Sequence, residues 1–220
     1  MYITFGKPKS IHDLNTASYQ LSKPRRIDIP MIMIDDEEVP KLGDIRHHGF
    51  NLSHFKEIEQ IDSVNGFEIV LCDIRGIGKK FHSKFEGAHV ISEIRRVYPF
   101  KVIIAYSAYT FDPTYNKYFK LADDIIKKDL DIDEWVERLD NAIELSINPV
   151  YKWEKIKLFL QTQKISPLDL VKLEDEYVRL FEKKLKIGSF PSKKVKNNLN
   201  EETKQVLQSF VTSVIFKLIF

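Results

Sequence analysis

Residues 67–76 read FEIVLCDIRG, an apolar run from Phe67 to Cys72, broken only by Glu68, that ends on the carboxylate of Asp73. A short apolar run without polar alternation is the pattern of a strand covered on both faces, as in parallel sheets packed between helices. In such sheets the residue that follows a strand is delivered to the carboxyl edge, where ligands bind near the reversal of strand order. The run therefore predicts a buried central strand and places Asp73 at the chemically useful edge.

The pattern repeats on either side. Met31 to Ile34 is followed by Asp35, Asp36 and Glu37; Val102 to Tyr106 by Ser107; Asp124 to Lys127 by Lys128; a weaker run lies at Phe55 to Ile58. Between them, Val90, Ile91, Ile94 and Val97 recur at helical spacing, with Pro99 as a stop. Five strands alternating with helices predict an α/β fold with a doubly wound, five-stranded parallel sheet, for which the flavodoxin-like order 2-1-3-4-5 is the expectation. A closing helix is expected from Asp133 to Ile147, ended by Asn148-Pro149. Beyond it the sequence predicts a small all-α region: Val150 to Gln163, then Pro167 to Ile187 with Ser166 as cap and Gly188 past its end, a basic loop from Pro191 to Asn200, and a last helix. In that last helix Val206, Leu207, Phe210, Val211, Val214, Ile215, Leu218 and Ile219 form a broad apolar face. The expected organisation is an N-terminal arm at 1–26, an α/β domain at 27–148 and a helical region at 149–220.

In the order 2-1-3-4-5 the first and third strands are neighbours, so Asp73 is expected beside Asp35 and Asp36. Three carboxylates that close together need a raised pKa or a hard cation to relieve them, and magnesium, which favours carboxylate oxygens, suits the set. A carboxylate beside a divalent ion, an ammonium (Lys128) and a hydroxyl (Ser107) has the makings of a nucleophile toward phosphorus. Lys127, adjacent in sequence, is the alternative ammonium should the strand end one residue earlier.

The segments IMIDDEE, IVLCDIRG, VIIAYSAY and ADDIIKKD resemble, in order and spacing, the four motif regions of response-regulator receiver domains, over residues 27–147. The resemblance implies that Asp35, Asp36, Asp73 and the backbone carbonyl of Arg75 hold Mg2+. It further implies that Asp73 accepts a phosphoryl group from a histidine kinase or phosphotransfer protein, while Ser107 and Lys128 contact that group. Signalling would then be felt on the face that includes Asp129 and Trp135, and be read by the helical tail. Three departures stand out. Asp129 replaces the proline that commonly follows the lysine, Ile125 stands where the family carries its aromatic switch residue, and IRGIGKKFHSKFEG after the acceptor is longer than the usual Met-Pro turn, bringing Lys79 and Lys80 toward the mouth of the site. The first two motivate an alternative, a pseudo-receiver scaffold that works without phosphorylation. An aspartate-based phosphatase would need a second Asp two positions after the nucleophile, and that position is Arg75. No enzymatic turnover beyond self-phosphorylation and dephosphorylation at Asp73 is expected.

Composition narrows the setting. With 220 residues, 43% of them hydrophobic, the chain can bury one full core and a smaller second one. One cysteine excludes an intrachain disulfide framework, and the N-terminal MYITFGKPKS lacks a signal-peptide layout, so a reducing cytoplasm is expected. The apolar stretch from Val206 to Phe220 carries Gln208, Ser209, Thr212, Ser213 and Lys217, and predicts no membrane span. Net charge is −4 over residues 1–150 and +6 over 151–220. Nucleic acid is not expected as a partner; a homodimer or a protein partner through the helical tail is. His47, His48 and His82 read as surface residues, and Cys72 as core.

Overall fold

The computed structural model describes residues 7–14, 24–108, 113–182 and 190–213. Five strands, β1 (Pro30–Ile34), β2 (Asn51–Phe55), β3 (Ile69–Asp73), β4 (Val102–Ser107) and β5 (Asp124–Lys127), form one parallel sheet in the order β2-β1-β3-β4-β5. The flavodoxin-like order expected is the one observed. Register is set by side-chain alternation, because a slip of one residue would exchange the two faces. Ile32, Ile34, Val70, Cys72, Ile103 and Ala105 point to one core. Met31, Met33, Ile69, Leu71, Ile104, Tyr106 and Ile126 point to the other.

The second core is closed by α1 (Leu42–His47) and α4 (Ile132–Ile147) through Ile45, Trp135, Leu139 and Ile143. The first core is closed by α2 (Glu86–Val97) through Val90, Ile91 and Ile94, near the short α3 (Asn116–Phe119). Its apolar contacts continue without a break into the C-terminal helices α5 (Pro149–Thr162), α6 (Pro167–Phe181), α7 (Lys193–Lys196) and α8 (Glu201–Thr212). Trp153 stacks on Tyr177 at 4.8 Å, and Phe210 lies 5.7 Å from Tyr177 and 5.3 Å from Phe100.

Each longer C-terminal helix begins on a residue suited to its task. The Asn148 side chain accepts from the amides of Val150 and Tyr151 ahead of Pro149, Ser166 accepts from the Asp169 amide ahead of Pro167, and Asn200 accepts from the Thr203 amide. The capping box Asp131 to Glu134 starts α4 one residue earlier than the apolar period suggests.

Two expectations need correction. The second strand is Asn51–Phe55, not Phe55 to Ile58. As an edge strand it pairs only with β1 and needs few apolar residues: Leu52 is buried, Asn51 and Phe55 are exposed, and Ile58 fills the core from the following loop. Trp135 packs against Tyr106 at 5.5 Å and is 1% exposed. The helix expected to reach Ile187 runs to Phe181; its far end, with Gly188, and the apolar residues Val214 to Phe220 lie outside the described residues. Among the described residues no helix is long and apolar enough to cross a membrane.

The helical region grips the amino edge of the sheet, opposite the end where Asp73 lies. Glu68 and Lys101, which precede β3 and β4, are both buried. Lys152 from α5 pairs with Glu68 at 2.9 Å with both side chains almost wholly enclosed. Asp123, ahead of β5, takes Arg95 and Lys155, each at 2.6 Å. The N-terminal arm also docks here: the amides of Lys9 and Ile11 donate to Asp175 and Glu174 of α6.

Removing one partner of an enclosed ion pair leaves an uncompensated charge, at a cost of about 3–5 kcal/mol. Burial lowers the pKa of Lys101 to about 8 while the charge of the nearby Glu68 works against that, and its ammonium donates to the carbonyls of Asn65 and Phe67. Glu68→Gln is expected to destabilise the protein by about 3–5 kcal/mol in urea unfolding, and Lys152→Met by less, since Lys101 then still faces Glu68. Equal and small losses in both variants would refute the assignment.

Candidate functional site

The carboxyl ends of β1, β3, β4 and β5 converge on a cleft of about 350 Å³ lined by Asp36, Glu37, Asp73, Arg75, Gly76, Ser107, Ala108 and Lys128. Asp73 is the last residue of β3, paired in register with Tyr106, and Ser107 is the last residue of β4, opposite Lys127. Asp35 follows β1; its amide donates to the Phe55 carbonyl, its carboxylate accepts from the Glu37 amide at 3.0 Å, and its carbonyl meets His54 Nε2 at 2.8 Å. Asp35, Asp36 and Asp73 each offer a carboxylate oxygen within 4.8 Å of the others. The three acids expected to converge therefore do so, and an all-oxygen donor set of this kind suits a hard divalent cation.

Lys128 provides the opposing charge. Its Nζ lies 2.7 Å from Asp73 Oδ2, 2.9 Å from Asp35 Oδ2 and 3.4 Å from Glu37 Oε2, and sits over the Tyr106 ring at 5.0 Å from its centroid. Lys127 is exposed at the end of β5, which decides between the two lysines in favour of Lys128. Burial raises the pKa of Asp73; Lys128 and the Arg75 amide, which donates at 3.2 Å, work against that rise, and Asp35 adds to it. For Lys128, partial burial favours loss of the proton, yet the hydrogen bonds to Asp73 and Asp35 dominate and hold its pKa above the ordinary lysine value. Asp73 is thus a carboxylate under strain beside an ammonium secured in its charged form.

The loop after β3 is built for close approach. Gly76 has φ +80°, and a Cβ there would lie 2.3 Å from Asp36 Oδ1. Gly87, in the first turn of α2, backs directly onto Asp73: a Cβ would come 1.8 Å from the Asp73 carbonyl oxygen. Two acids tie the loop down. Glu57 accepts from the amides of Gly78 at 2.9 Å and Lys79 at 3.1 Å, and Glu86 accepts from the Gly76 amide at 3.1 Å. Arg75 extends over the Tyr115 ring, 5.5 Å from its centroid.

Glu57, Glu86 and His54 carry no local sequence signal for these tasks. Glu57 lies 21 residues from the Gly78 amide it accepts from. Only Tyr106 could have been placed from alternation, since it falls opposite Ala105 in β4 and hence on the Trp135 side. Cys72 is buried on the face away from Asp73, as alternation requires, and its thiol pKa is pushed up by burial. His47, His48 and His82 are exposed.

Comparison with protein-family models and with curated proteins returns no match. Among solved structures the chain is similar to a response regulator receiver domain protein from Methanospirillum hungatei (14% identity, TM-score 0.44, covering 54% of this chain and 95% of that one). It is also similar to a response regulator from Thermotoga maritima (22% identity, TM-score 0.43, covering 53% and 98%). A third is the receiver domain of NtrX from Brucella abortus (20% identity, TM-score 0.44, covering 52% and 98%). The fold assignment rests on the strand order and register above.

Two outcomes test this geometry. An acid whose folded pKa is raised binds more protons folded than unfolded, so the stability it contributes is present below its ordinary value of 3.8 and is lost as pH rises through its folded value. Asp73→Asn is accordingly expected to raise the urea midpoint at neutral pH, with the gain over wild type vanishing near pH ~3.5, where both forms are neutral; a pH-independent difference would contradict the burial argument. Gly87→Ala is expected to lose about 2–3 kcal/mol, because the added methyl meets main chain that cannot swing aside; a neutral result would show that the helix and strand are not in this contact.

Proposed function

We propose that the protein is a response regulator whose Asp73 accepts a phosphoryl group from a histidine kinase or phosphotransfer protein. The observation that carries this reading is the buried Asp73 carboxylate at the end of the central strand, 2.7 Å from the Lys128 ammonium and flanked by Asp35 and Asp36 at ligand distance from one another. Such a carboxylate has one oxygen held by Lys128 and its other oxygen directed by the Arg75 amide, inside a cleft that also presents Ser107.

In the proposed step an oxygen of Asp73 forms the bond to phosphorus while the donor's bond to phosphorus breaks and its electron pair leaves with the donor. Lys128 keeps Asp73 ionised before the transfer and faces the phosphoryl oxygens after it; the Ser107 hydroxyl donates to them. Magnesium held by Asp35, Asp36, Asp73 and the Arg75 carbonyl would supply the divalent charge that phosphoryl transfer requires. The helical region lies at the opposite edge of the sheet, so a change at Asp73 would reach it through β3, β4 and the shared core. A homodimer or another protein partner of that region is part of the same proposal.

A second reading, a scaffold that works without phosphorylation, draws on two departures from the family: Ile125, not an aromatic ring, stands at the position the family uses as a switch, and Asp129 replaces the proline after Lys128. Incubation with Mg2+ and acetyl phosphate distinguishes the two. The phospho-acceptor reading expects a hydroxylamine-sensitive label on the wild type, none on Asp73→Asn, and none when the divalent ion is chelated. Equal labelling of wild type and variant, or no labelling of either, would favour the scaffold.

A further inference from the structure

Four carboxylates crowd the cleft, and their counter-charges are divided in an uneven way. Lys128 meets Asp35, Glu37 and Asp73. Asp36 is met instead by Lys79, whose Nζ lies 3.2 Å from Asp36 Oδ2. Lys79 comes from the stretch between Asp73 and α2, in a 3-10 turn of Lys79–Phe81.

An exposed lysine is ordinarily a mobile charge that contributes little. Here its backbone is fixed. The Glu57 carboxylate receives the amides of both Gly78 and Lys79, Glu86 receives that of Gly76, and Gly78 takes φ +80° to turn the chain toward the cleft. Gly76 lies flat against Asp36, where a Cβ would collide with Oδ1. The loop is therefore shaped around Asp36, and its lysine is delivered to the one acid that Lys128 leaves to others. The neighbouring Lys80 points elsewhere, 3.9 Å from Glu59.

From this we infer that Lys79 is a second cation of the phospho-acceptor site: it competes with the divalent ion for Asp36 and, when the ion is bound, faces the phosphoryl donor across the mouth of the cleft. The inference rests on the proposed phospho-acceptor reading and adds a positioning residue to it. The two effects have opposite signs. A unit positive charge a few ångströms from the ion site repels a divalent cation, so removing it tightens Mg2+ binding. The same charge attracts an anionic donor and offsets charge on the transferring group, so removing it slows transfer. In that transfer with acetyl phosphate, the Asp73 oxygen bonds to phosphorus, the acetyl oxygen–phosphorus bond breaks, and acetate leaves with the electron pair.

The test uses the full chain with Lys79→Ala, Lys79→Arg and Lys80→Ala, each checked for an unchanged thermal melt. Calorimetric titration with Mg2+ alone, without donor, is expected to show binding about three- to tenfold tighter in Lys79→Ala, with Lys79→Arg and Lys80→Ala close to wild type. Labelling by acetyl phosphate at saturating Mg2+ is expected to slow about threefold or more in Lys79→Ala only. Unchanged Mg2+ affinity in Lys79→Ala, or the same change in Lys80→Ala, overturns the inference. If the wild type binds Mg2+ but takes no label, the phospho-acceptor reading and the donor-facing role fall together, while the titration still decides the competition for Asp36.

Discussion

Like charges brought together at one edge of a sheet must be held there by something, and in this protein that constraint organises the fold around a single ammonium. Asp35 and Asp73 stand at the ends of adjacent parallel strands because β1 and β3 are neighbours, and both are almost wholly removed from water. Lys128 reaches them across the reversal of strand order and bonds to both. Desolvation pushes the Asp73 proton affinity up while Lys128 pulls it down, and burial wins, so the carboxylate's pKa stands above its ordinary value. A desolvated carboxylate held in this way is sensitive to any charge that enters the cleft, because that charge changes what Lys128 must satisfy.

The opposite edge of the sheet solves a different problem. There the polar groups are enclosed and paired: Lys152 with Glu68, and Arg95 and Lys155 with Asp123. Buried pairs of this kind add little stability in themselves but penalise any arrangement that separates the partners. The helices α5 to α8 are consequently set in one orientation beneath β3, β4 and β5, with Phe210, Tyr177 and Trp153 continuing the sheet's own core. A tail bound through a shared core is suited to changing shape together with the sheet, and less suited to release as a separate unit.

Between these edges the elements around the cleft are unequal. The side bearing α1 and α4 is tightly closed by Trp135 and Leu139, whereas the connection after β4 contains only the four-residue α3 among its described residues. The loop after β3 is long but immobilised by Glu57 and Glu86. Access to Asp73 is therefore shaped more by backbone hydrogen bonds to acids than by bulky side chains, which accounts for the two glycines at positive φ within it.

Much of this was legible from residue order. Consecutive apolar runs mark buried strands because both faces must be covered, and the polar residue after each run marks the carboxyl edge; so the sequence by itself determined the α/β class, the delivery of Asp35, Asp36, Asp73, Ser107 and Lys128 to one edge, and the helical tail with its Ser166 cap. The edge strand Asn51–Phe55 escaped because a strand paired on one side does not need an apolar run. Helical periodicity gives spacing around the axis but not which neighbour lies opposite, so the packing of Trp135 on Tyr106 was not legible. Only the tertiary structure decided that the tail docks at the amino edge, that Glu68 and Lys152 meet over 84 residues, and that Glu57 and Lys79 frame Asp36. Those contacts join residues distant along the chain, and charge pairing at such range depends on where packing puts the backbone, a quantity no local pattern encodes.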